Sequence, residues 1–488
     1  MGSRIRTPKY SDGLVALITG SKGVGKSTFA KTLANFCNDH DENKNGAVFW
    51  LDLDPGQPEF SPPGQLSLVL LRGPVIGPAY THCFHNQDSK SDHRVLLAHN
   101  VGANSPKDDP EYYLAAAAEL FARYNFSAKN GFWKSSALII NSPGWITRDG
   151  LDITKQLISM TTPTHVVYIH DRFPTQAGGH STRNISIETL SETAASLNIT
   201  FIDLPSAIPP DTVQSRTALE RRHMSSISYF HRIPRFEAGI QDPIWTAQPL
   251  CERTPWVVPY SSILGILFTN GRPAPGFCFS AIDRSVLALV LLDDSVADAL
   301  ASSDTIRQHG PEELPYIPAS SGGLLHQLNP STSSCLGLVY LQGVNVQREE
   351  LYLVTPLGAE TRRFAMEKTR RGTPRCVLQA PGFGASDAPT WAHLEEVVGR
   401  ETVKERPTRG PMSGSDASGQ EAEEDLSIDW VGEGELEMDE ESSSDEEEDE
   451  VVVEEELPPY VEVVGRDAAP AKVWRERKNI GTGRKTRR

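Results

Sequence analysis

A phosphate-binding signature near the start of the chain constrains the fold more than any other feature. Residues 20–28 read Gly-Ser-Lys-Gly-Val-Gly-Lys-Ser-Thr and fit the pattern GxxxxGKS/T. The motif directly follows the apolar residues 14–19 and precedes a helical stretch, as a phosphate-binding loop requires. A continuous apolar run of this kind predicts a strand buried on both faces of a parallel sheet. The alternative, a glycine-rich turn without a ligand, does not explain that context.

Each residue type in this loop has a physical task. Glycine lets the backbone wrap closely around phosphates, and the N–H groups at the start of the following helix favour their negative charge. Lys26 is expected to reach the β- and γ-phosphates of a nucleotide, and the Ser27 hydroxyl to ligate Mg²⁺. The predicted nucleotide-binding residues are Gly20, Ser21, Lys22, Gly23, Val24, Gly25, Lys26, Ser27 and Thr28.

Two aspartates follow the next apolar run. Asp52 and Asp54 stand at the end of the strand predicted at residues 47–51, in the sequence Asp-Leu-Asp-Pro-Gly-Gln. A carboxylate at the end of a strand beside the phosphate-binding loop is placed to hold Mg²⁺ or to accept a proton from a nucleophile. The alternative is a turn built from Asp-Pro-Gly, which explains Pro55 and Gly56 but not their position beside the loop.

Segments that predict strands alternate with segments that predict helices. Beyond the first strand, the predicted strands are residues 47–51, 94–99, 137–140 and 165–169, and the predicted helices are 26–37 and 110–124. This order predicts the α/β class, with a doubly wound parallel sheet of the P-loop NTPase type. From about residue 240 onward, short apolar runs separated by Gly and Pro predict a smaller, β-rich C-terminal domain.

Charge divides the remainder of the chain. The formal net charge is −17, but residues 416–456 contain 21 acidic residues and no basic residue, whereas residues 466–488 contain nine Lys or Arg and two acids. Blocks of like charge stay solvated, which predicts a disordered acidic tail on a body close to neutrality. The predicted parts are a P-loop domain (1–240), a β-rich domain (241–400), a disordered acidic linker (401–465) and a basic Trp/Arg tail (466–488).

Composition excludes two further classes of protein. No run approaches the ~18 consecutive apolar residues of a transmembrane helix, so no membrane is expected as a partner. The six cysteines have no paired spacing, which argues against a disulfide framework or a zinc site.

Two other segments carry side chains suited to a polynucleotide. Trp145 ends the sequence Asn-Ser-Pro-Gly-Trp after a predicted strand, and it offers either a stacking face for a base or a core side chain. Arg216 and Arg222 belong to a basic helical segment that is expected to close over phosphates as a lid. For such an arginine cluster the alternative is a solvated helical face.

Taken together, the segments 20–29, 52–64, 105–107, 141–145 and 216–230 resemble those of the eukaryotic polynucleotide 5′-hydroxyl-kinases. The resemblance is closer to the branch that processes pre-ribosomal RNA than to the messenger-RNA branch. It implies ATP-dependent phosphorylation of an RNA 5′-hydroxyl end, with Mg²⁺, by a kinase domain at residues 1–240. Members of the family carry a β-rich domain before the P-loop, and this chain is expected to lack it because its first strand begins near residue 14.

The resemblance also implies roles for single residues. Asp54 would be the general base and metal-shell carboxylate, with Asp52 beside it, and Lys26, Arg216 and Arg222 would act on the transferred phosphate. The residues that would hold the RNA end are Gln57, Asn141, Ser142 and Trp145.

The basic tail resembles the partner-binding tail of the ribosomal branch. Trp474, Arg475 and Arg477 would bind a HEPN-class endonuclease that cuts pre-rRNA spacers. The resemblance therefore implies a hetero-oligomer that is located in the nucleus, within the nucleolus. Trp and Arg are enriched among interface hot spots, and the linker raises their effective concentration. A nuclear localisation signal or a nonspecific RNA-binding tip remains the alternative.

Two other functions remain open at this stage. The chain is alternatively a scaffold whose P-loop binds ATP without kinase chemistry while the tail activates a nuclease, or a nucleotide-driven factor in ribosome assembly. Phosphate transfer to RNA separates the first hypothesis from both alternatives.

Overall fold

The computed structural model describes two large β-sheets, two short strand pairs and the helices that accompany them. The described residues are 13–39, 47–83, 93–129, 136–171, 179–208, 216–233, 244–268, 272–273, 278–302, 306–309, 314–317, 328–380 and 461–462. The predicted acidic linker lies outside them apart from Val461–Glu462, which pairs with Arg272–Pro273, and the predicted tail 466–488 lies wholly outside them.

The first sheet has seven strands in the order β4-β3-β2-β5-β1-β6-β7 within the described residues. Its strands are β1 Val15–Gly20, β2 Val48–Asp52, β3 Gln65–Leu71, β4 His93–Asn100, β5 Leu138–Asn141, β6 His165–His170 and β7 Thr200–Pro205. Strands β2, β5, β1, β6 and β7 are parallel, whereas β3 runs antiparallel to both β2 and β4. The predicted α/β class and parallel sheet are confirmed, and β3 and β4 add an antiparallel edge.

Five helices belong to this sheet among the described residues: α1 Lys26–Asp39, α2 Pro110–Lys129, α3 Asp149–Thr161, α4 Gly179–Ser196 and α5 Ala218–His231. Helix α2 begins with proline, which costs no hydrogen bond at that position, and Asp109 caps it by accepting the N–H of Tyr112 at 2.9 Å. Helix α5 begins with a capping box between Thr217 and Glu220.

Over the part of the chain that the structure describes, the second sheet has eight strands in the order β10-β17-β16-β13-β18-β11-β15-β14 and is mostly antiparallel. Two further sheets of two strands each are described: β8 Arg232–Ile233 pairs with β9 Ile244–Trp245, and β12 Arg272–Pro273 pairs with β19 Val461–Glu462. The eight strands are β10 Trp256–Pro259, β11 Gly265–Phe268, β13 Val286–Leu292, β14 Arg307–His309, β15 Leu314–Ile317, β16 Ser333–Asn345, β17 Glu350–Val354 and β18 Cys376–Ala380. Its helices are α6 Cys278–Ile282, α7 Asp294–Ser302 and α8 Ala359–Ala365. This is the predicted β-rich C-terminal part.

One hydrophobic core cluster joins the two sheets, and a second cluster belongs to the second sheet alone. Residues of both sheets belong to a single buried cluster, and polar contacts join them at the β3–β4 edge. Asn100 Nδ2 donates to Gln379 Oε1 at 3.2 Å, and the hydroxyl of Tyr229 on α5 accepts the backbone N–H of Leu338 at 2.8 Å. Helix α5 is therefore fixed against the second sheet, while the domain boundary near residue 240 stays a prediction.

Two sequence features have a simple structural counterpart. In the part of the chain that the structure describes, no helix has the length and apolar character needed to cross a bilayer. All six cysteines lie in described segments, and each has a free thiol.

Candidate functional site

The phosphate-binding loop connects β1 to α1 at the carboxyl edge of the parallel strands. Gly20, Gly23 and Gly25 have φ angles of 134°, 79° and 97°, which side-chain-bearing residues rarely adopt. A Cβ atom on Gly20 would also lie 1.9 Å from the carbonyl oxygen of Ile169 on the neighbouring strand β6. The loop therefore needs glycine both for its backbone conformation and for its close contact with β6.

Lys26, the first residue of α1, is held inside the loop. Its side chain is buried, and Nζ donates a hydrogen bond of 2.8 Å to the carbonyl oxygen of Ser21. Burial lowers the pKa of Lys26, and the nearby Asp54 carboxylate opposes that shift. An ammonium in this position is placed for the phosphates that such a loop binds.

Asp54 follows β2 and faces the loop lysine. Its Oδ1 accepts the backbone N–H groups of Gly56 at 3.0 Å and Gln57 at 3.3 Å, and no other hydrogen bond of Asp54 is seen among the described residues. Burial raises the pKa of Asp54, whereas Lys26, the two amides and Arg222 oppose the shift. The two interpretations of this segment, an Asp-Pro-Gly turn and a carboxylate beside the loop, therefore both hold, because the turn amides fix the position of the Asp54 carboxylate.

Asp52 is buried at the same edge of the sheet. It is the last residue of β2, has no exposed surface, and accepts hydrogen bonds from Asn141 Nδ2 at 3.1 Å and from the Glu59 amide at 2.6 Å. Burial raises its pKa to about 7. Both carboxylate oxygens of Asp52 thus accept hydrogen bonds from within the protein. A catalytic role for Asp52 stays a prediction.

The segment after β5 packs against the phosphate-binding loop. The Ser142 hydroxyl donates to the carbonyl oxygen of Ile18 at 2.9 Å, and a Cβ atom on Gly144 would lie 2.9 Å from Lys22 Cα. Asn141 and Ser142 are buried, so their side chains face the protein interior. A role of these two residues in holding RNA stays a prediction, while their contact with the loop is structural.

Trp145 lies at the end of this segment and is half-buried. It packs against the main hydrophobic core, and a Cβ atom on Gly150 of α3 would come within 2.5 Å of its ring. Core packing of Trp145 is therefore observed, and stacking of its exposed part against a base stays a prediction. The predicted RNA-holding residue Gln57 is also half-buried, in the turn set by Asp54.

The two lid arginines have different environments. Arg222 lies on α5, is half-buried, and interacts electrostatically with Asp54. Arg216 precedes the helix, is exposed, and places Nη1 3.1 Å from the sulfur of Met224. The structure therefore brings Lys26, Asp54 and Arg222 together and leaves Arg216 at the surface.

Two contacts of the site have no signal in the sequence. Ser206, which follows β7, donates a hydrogen bond of 3.0 Å to the carbonyl oxygen of Val24 in the loop. Ile208 is exposed, and its Cδ1 would lie 3.8 Å from a Cβ atom on Gly25. Both residues reach the loop only because β7 is the edge strand next to β6.

The site suits Mg²⁺ held together with a nucleotide. No cluster of three His, Cys, Asp or Glu side chains that would hold a metal ion occurs in the described residues. A Mg²⁺ ion in phosphate transfer needs only one or two protein oxygen ligands, because phosphates and water supply the others. Asp54, whose two hydrogen bonds both use Oδ1, and the half-buried Ser27 are the residues that fit this role.

Fold and site together define a class: the chain is a P-loop protein with a nucleotide-phosphate site at the carboxyl edge of a parallel sheet. The family model for the P-loop of the mRNA cleavage and polyadenylation factor CLP1 matches residues 20–231. The polynucleotide 5′-hydroxyl-kinase grc3 of Aspergillus terreus is 32% identical over 453 residues, which are 81% of this chain and 52% of that protein. The polynucleotide 5′-hydroxyl-kinase GRC3 of Gibberella zeae is 32% identical over 458 residues, which are 88% of this chain and 59% of that protein.

The chain is thus similar to polynucleotide 5′-hydroxyl-kinases over most of its length and contains a CLP1-type P-loop, which confirms the resemblance found in the sequence. It spans about half the length of the curated relatives it matches. The fold agrees with the solved structure of a wild-type Clp1p–Pcf11p complex, with a TM-score of 0.50, 15% identity, and coverage of 77% of this chain and 76% of that one.

Proposed function

We propose that this protein transfers the γ-phosphate of ATP to the 5′-hydroxyl end of RNA. The observation that carries the proposal is the grouping of Lys26 in the phosphate-binding loop with Asp54 and Arg222. The kinase names of the relatives support the same acceptor chemistry. A carboxylate and a second cation beside the transferable phosphate serve phosphate transfer, whether the acceptor is a hydroxyl group or water.

The residues divide the chemistry among them. The 5′-hydroxyl oxygen forms a bond to the γ-phosphorus while the bond from that phosphorus to the bridging oxygen of ADP breaks, and Asp54 accepts the hydroxyl proton. Lys26 and Arg222 neutralise negative charge on the transferred group. Mg²⁺, held by Ser27 and Asp54, would supply further charge neutralisation when bound.

The acceptor, the partner and the location are further parts of the proposal. A pre-rRNA end left by spacer cleavage is the proposed substrate, and a HEPN-class endonuclease is the proposed partner in the nucleolus. Support comes from the sequence resemblance and from the Trp474, Arg475 and Arg477 tail, which lies outside the described residues. Deleting residues 466–488 is expected to abolish co-purification with the nuclease and leave kinase activity on short RNA unchanged.

A label-transfer assay tests the kinase activity directly. Wild-type protein is expected to move label from γ-labelled ATP to 5′-hydroxyl RNA, and Lys26→Ala and Asp54→Ala are each expected to lose at least about a hundredfold in rate. Lys155→Ala, on α3 in an exposed ion pair with Asp152, is the matched control. Equal labelling by all variants contradicts the proposal. ATP hydrolysis without transfer to RNA favours the assembly-factor alternative.

A further inference from the structure

A buried ion cluster lies below the candidate site. Glu59 Oε1 is 3.0 Å from Lys31 Nζ and 3.2 Å from His82 Nδ1, and the Glu59 side chain is only 3% exposed. Lys31 also donates to the carbonyl oxygen of Gly77 at 3.1 Å, and His82 Nε2 donates to that of Ile76 at 2.7 Å. A buried carboxylate is costly unless it is paired, so these contacts hold their elements in one arrangement. Lys31, Glu59 and His82 are termed the Glu59 cluster below.

Each member of the cluster connects to an element of the transfer site. Lys31 lies on α1, the helix that begins with Lys26. The backbone N–H of Glu59 donates to Asp52 Oδ2 at 2.6 Å, at the end of the strand that leads to Asp54. The cluster therefore joins the helix of the phosphate-binding loop to the segment that carries the candidate base.

His82 extends the connection to the arginine helix. It ends the turn at Ala79–Thr81, and the Ser228 hydroxyl on α5 donates to the carbonyl oxygen of Tyr80 in that turn. Trp245 Nε1 donates to Ser228 Oγ at 2.9 Å from the other side. Since Arg222 is on the same helix as Ser228, the turn held by His82 supports the element that carries the cation beside Asp54.

We propose that Lys31, Glu59 and His82 are positioning residues for phosphate transfer, because the cluster fixes α1, the end of β2 and α5 relative to one another. The inference rests on the proposed kinase function. The side-chain bonds of the cluster join its own members to one another and to the carbonyl oxygens of Ile76 and Gly77, so its loss is expected to leave ATP binding by the loop largely intact. It is expected to misplace Asp54 and Arg222, and displacements of about 1 Å cost transfer rates up to a hundredfold.

Kinase kinetics on the full chain test this inference. Glu59→Gln and Lys31→Met are expected to lower kcat at least tenfold while the KM for ATP stays within about threefold of wild type, and Lys31→Arg is expected to retain at least a third of wild-type kcat. The Lys31→Met, Glu59→Gln double variant is expected to be no slower than Glu59→Gln, because the pair acts as a unit. Asp298→Asn is the matched control, since Asp298 on α7 is a partly buried carboxylate that accepts from Thr369 at 2.7 Å.

The outcomes separate this inference from the proposed function. Wild-type kcat in folded Glu59→Gln and Lys31→Met overturns the inference alone, and so does an equal loss in Asp298→Asn, which would reveal general loosening. A wild-type protein that transfers no phosphate to RNA overturns the proposed function and the inference with it. If thermal unfolding shows that Glu59→Gln does not fold, the comparison of Lys31→Met with Lys31→Arg decides, because Lys31 is at the partly exposed side of the cluster.

Discussion

The side-chain amide of Asn141 donates a hydrogen bond of 3.1 Å to Asp52 Oδ1 and joins the ends of the parallel strands β5 and β2. The backbone repeats the connection, since the Leu53 N–H donates to the Asn141 carbonyl oxygen at 2.9 Å. Asn141 thereby connects the two segments that approach the phosphate-binding loop, one leading to Asp54 and the other to Trp145.

Asn141→Ala is expected to weaken both folding and phosphate transfer. The substitution leaves a buried Asp52 oxygen without its donor, which costs about 1–3 kcal/mol of unfolding free energy. It also loosens the edge on which Asp54 depends, so kcat falls while the KM for ATP changes little. Denaturant unfolding and kinase kinetics measure the two effects. Asn345→Ala, which removes a part-buried bond to Tyr352 at 3.2 Å in the second sheet, serves as control and is expected to leave kcat unchanged.

Local patterns account for those parts of the fold and of the site whose position the sequence predicts. The loop from Gly20 to Thr28, Lys26 and the adjacent Asp54 are read from short motifs whose backbone conformation is determined within a few residues. The strand β3 was not predicted, because an antiparallel return beside β2 has no motif of its own. The position of Asp54 depends both on the Asp-Pro-Gly turn and on the order of the strands in the sheet. Only the turn is indicated by a local sequence motif.

Contacts between distant parts of the chain account for the rest. Glu59 meets Lys31 across 28 residues and His82 across 23, and Ser206 reaches Val24 across 182. None of these spacings follows a helix or strand period, so no periodicity in the sequence indicates them. The different environments of Arg216 and Arg222 likewise depend on how α5 packs against the second sheet.

Arg222→Gln is expected to impair transfer more than Arg216→Gln. Arg222 lies close enough to Asp54 to interact with its charge, whereas the exposed Arg216 contacts Met224 of its own segment. Removing a cation beside the transferred phosphate is expected to lower kcat at least tenfold, and the effect at Arg216 is expected to stay below about threefold. Steady-state kinase assays at saturating ATP compare the two. A larger loss at Arg216 would contradict the assignment of Arg222 as the cation that acts on the transferred phosphate.

Gly20→Ala is expected to abolish nucleotide binding. The new Cβ atom would lie 1.9 Å from the Ile169 carbonyl oxygen, at a φ angle of 134° that alanine rarely adopts. Either β1 or β6 must shift, so we expect a loss of at least about 2 kcal/mol of unfolding free energy and a collapsed loop.

Gly343→Ala, whose nearest neighbour would be a Tyr352 carbon at 4.0 Å, is the control and is expected to change stability by less than about 0.5 kcal/mol. Calorimetric ATP titration and denaturant unfolding measure the outcomes, and ATP binding by folded Gly20→Ala contradicts the loop geometry.

His99 is expected to give the protein an acid-sensitive stability. It lies on β4 with 1% of its surface exposed, and burial lowers its pKa to about 4. In the unfolded chain a histidine titrates near about 6.5, so between these two values the unfolded state binds more protons than the folded state. The contribution of neutral His99 is therefore fully present above the unfolded pKa and is lost as the pH falls toward 4.

The unfolding free energy of wild type minus that of His99→Gln is expected to rise by about 3 kcal/mol as the pH increases across this window. Urea unfolding of both proteins at several pH values measures the difference, which cancels the titration of other groups. Parallel curves for the two proteins would mean that His99 keeps an ordinary pKa, with water or a partner at its buried ring.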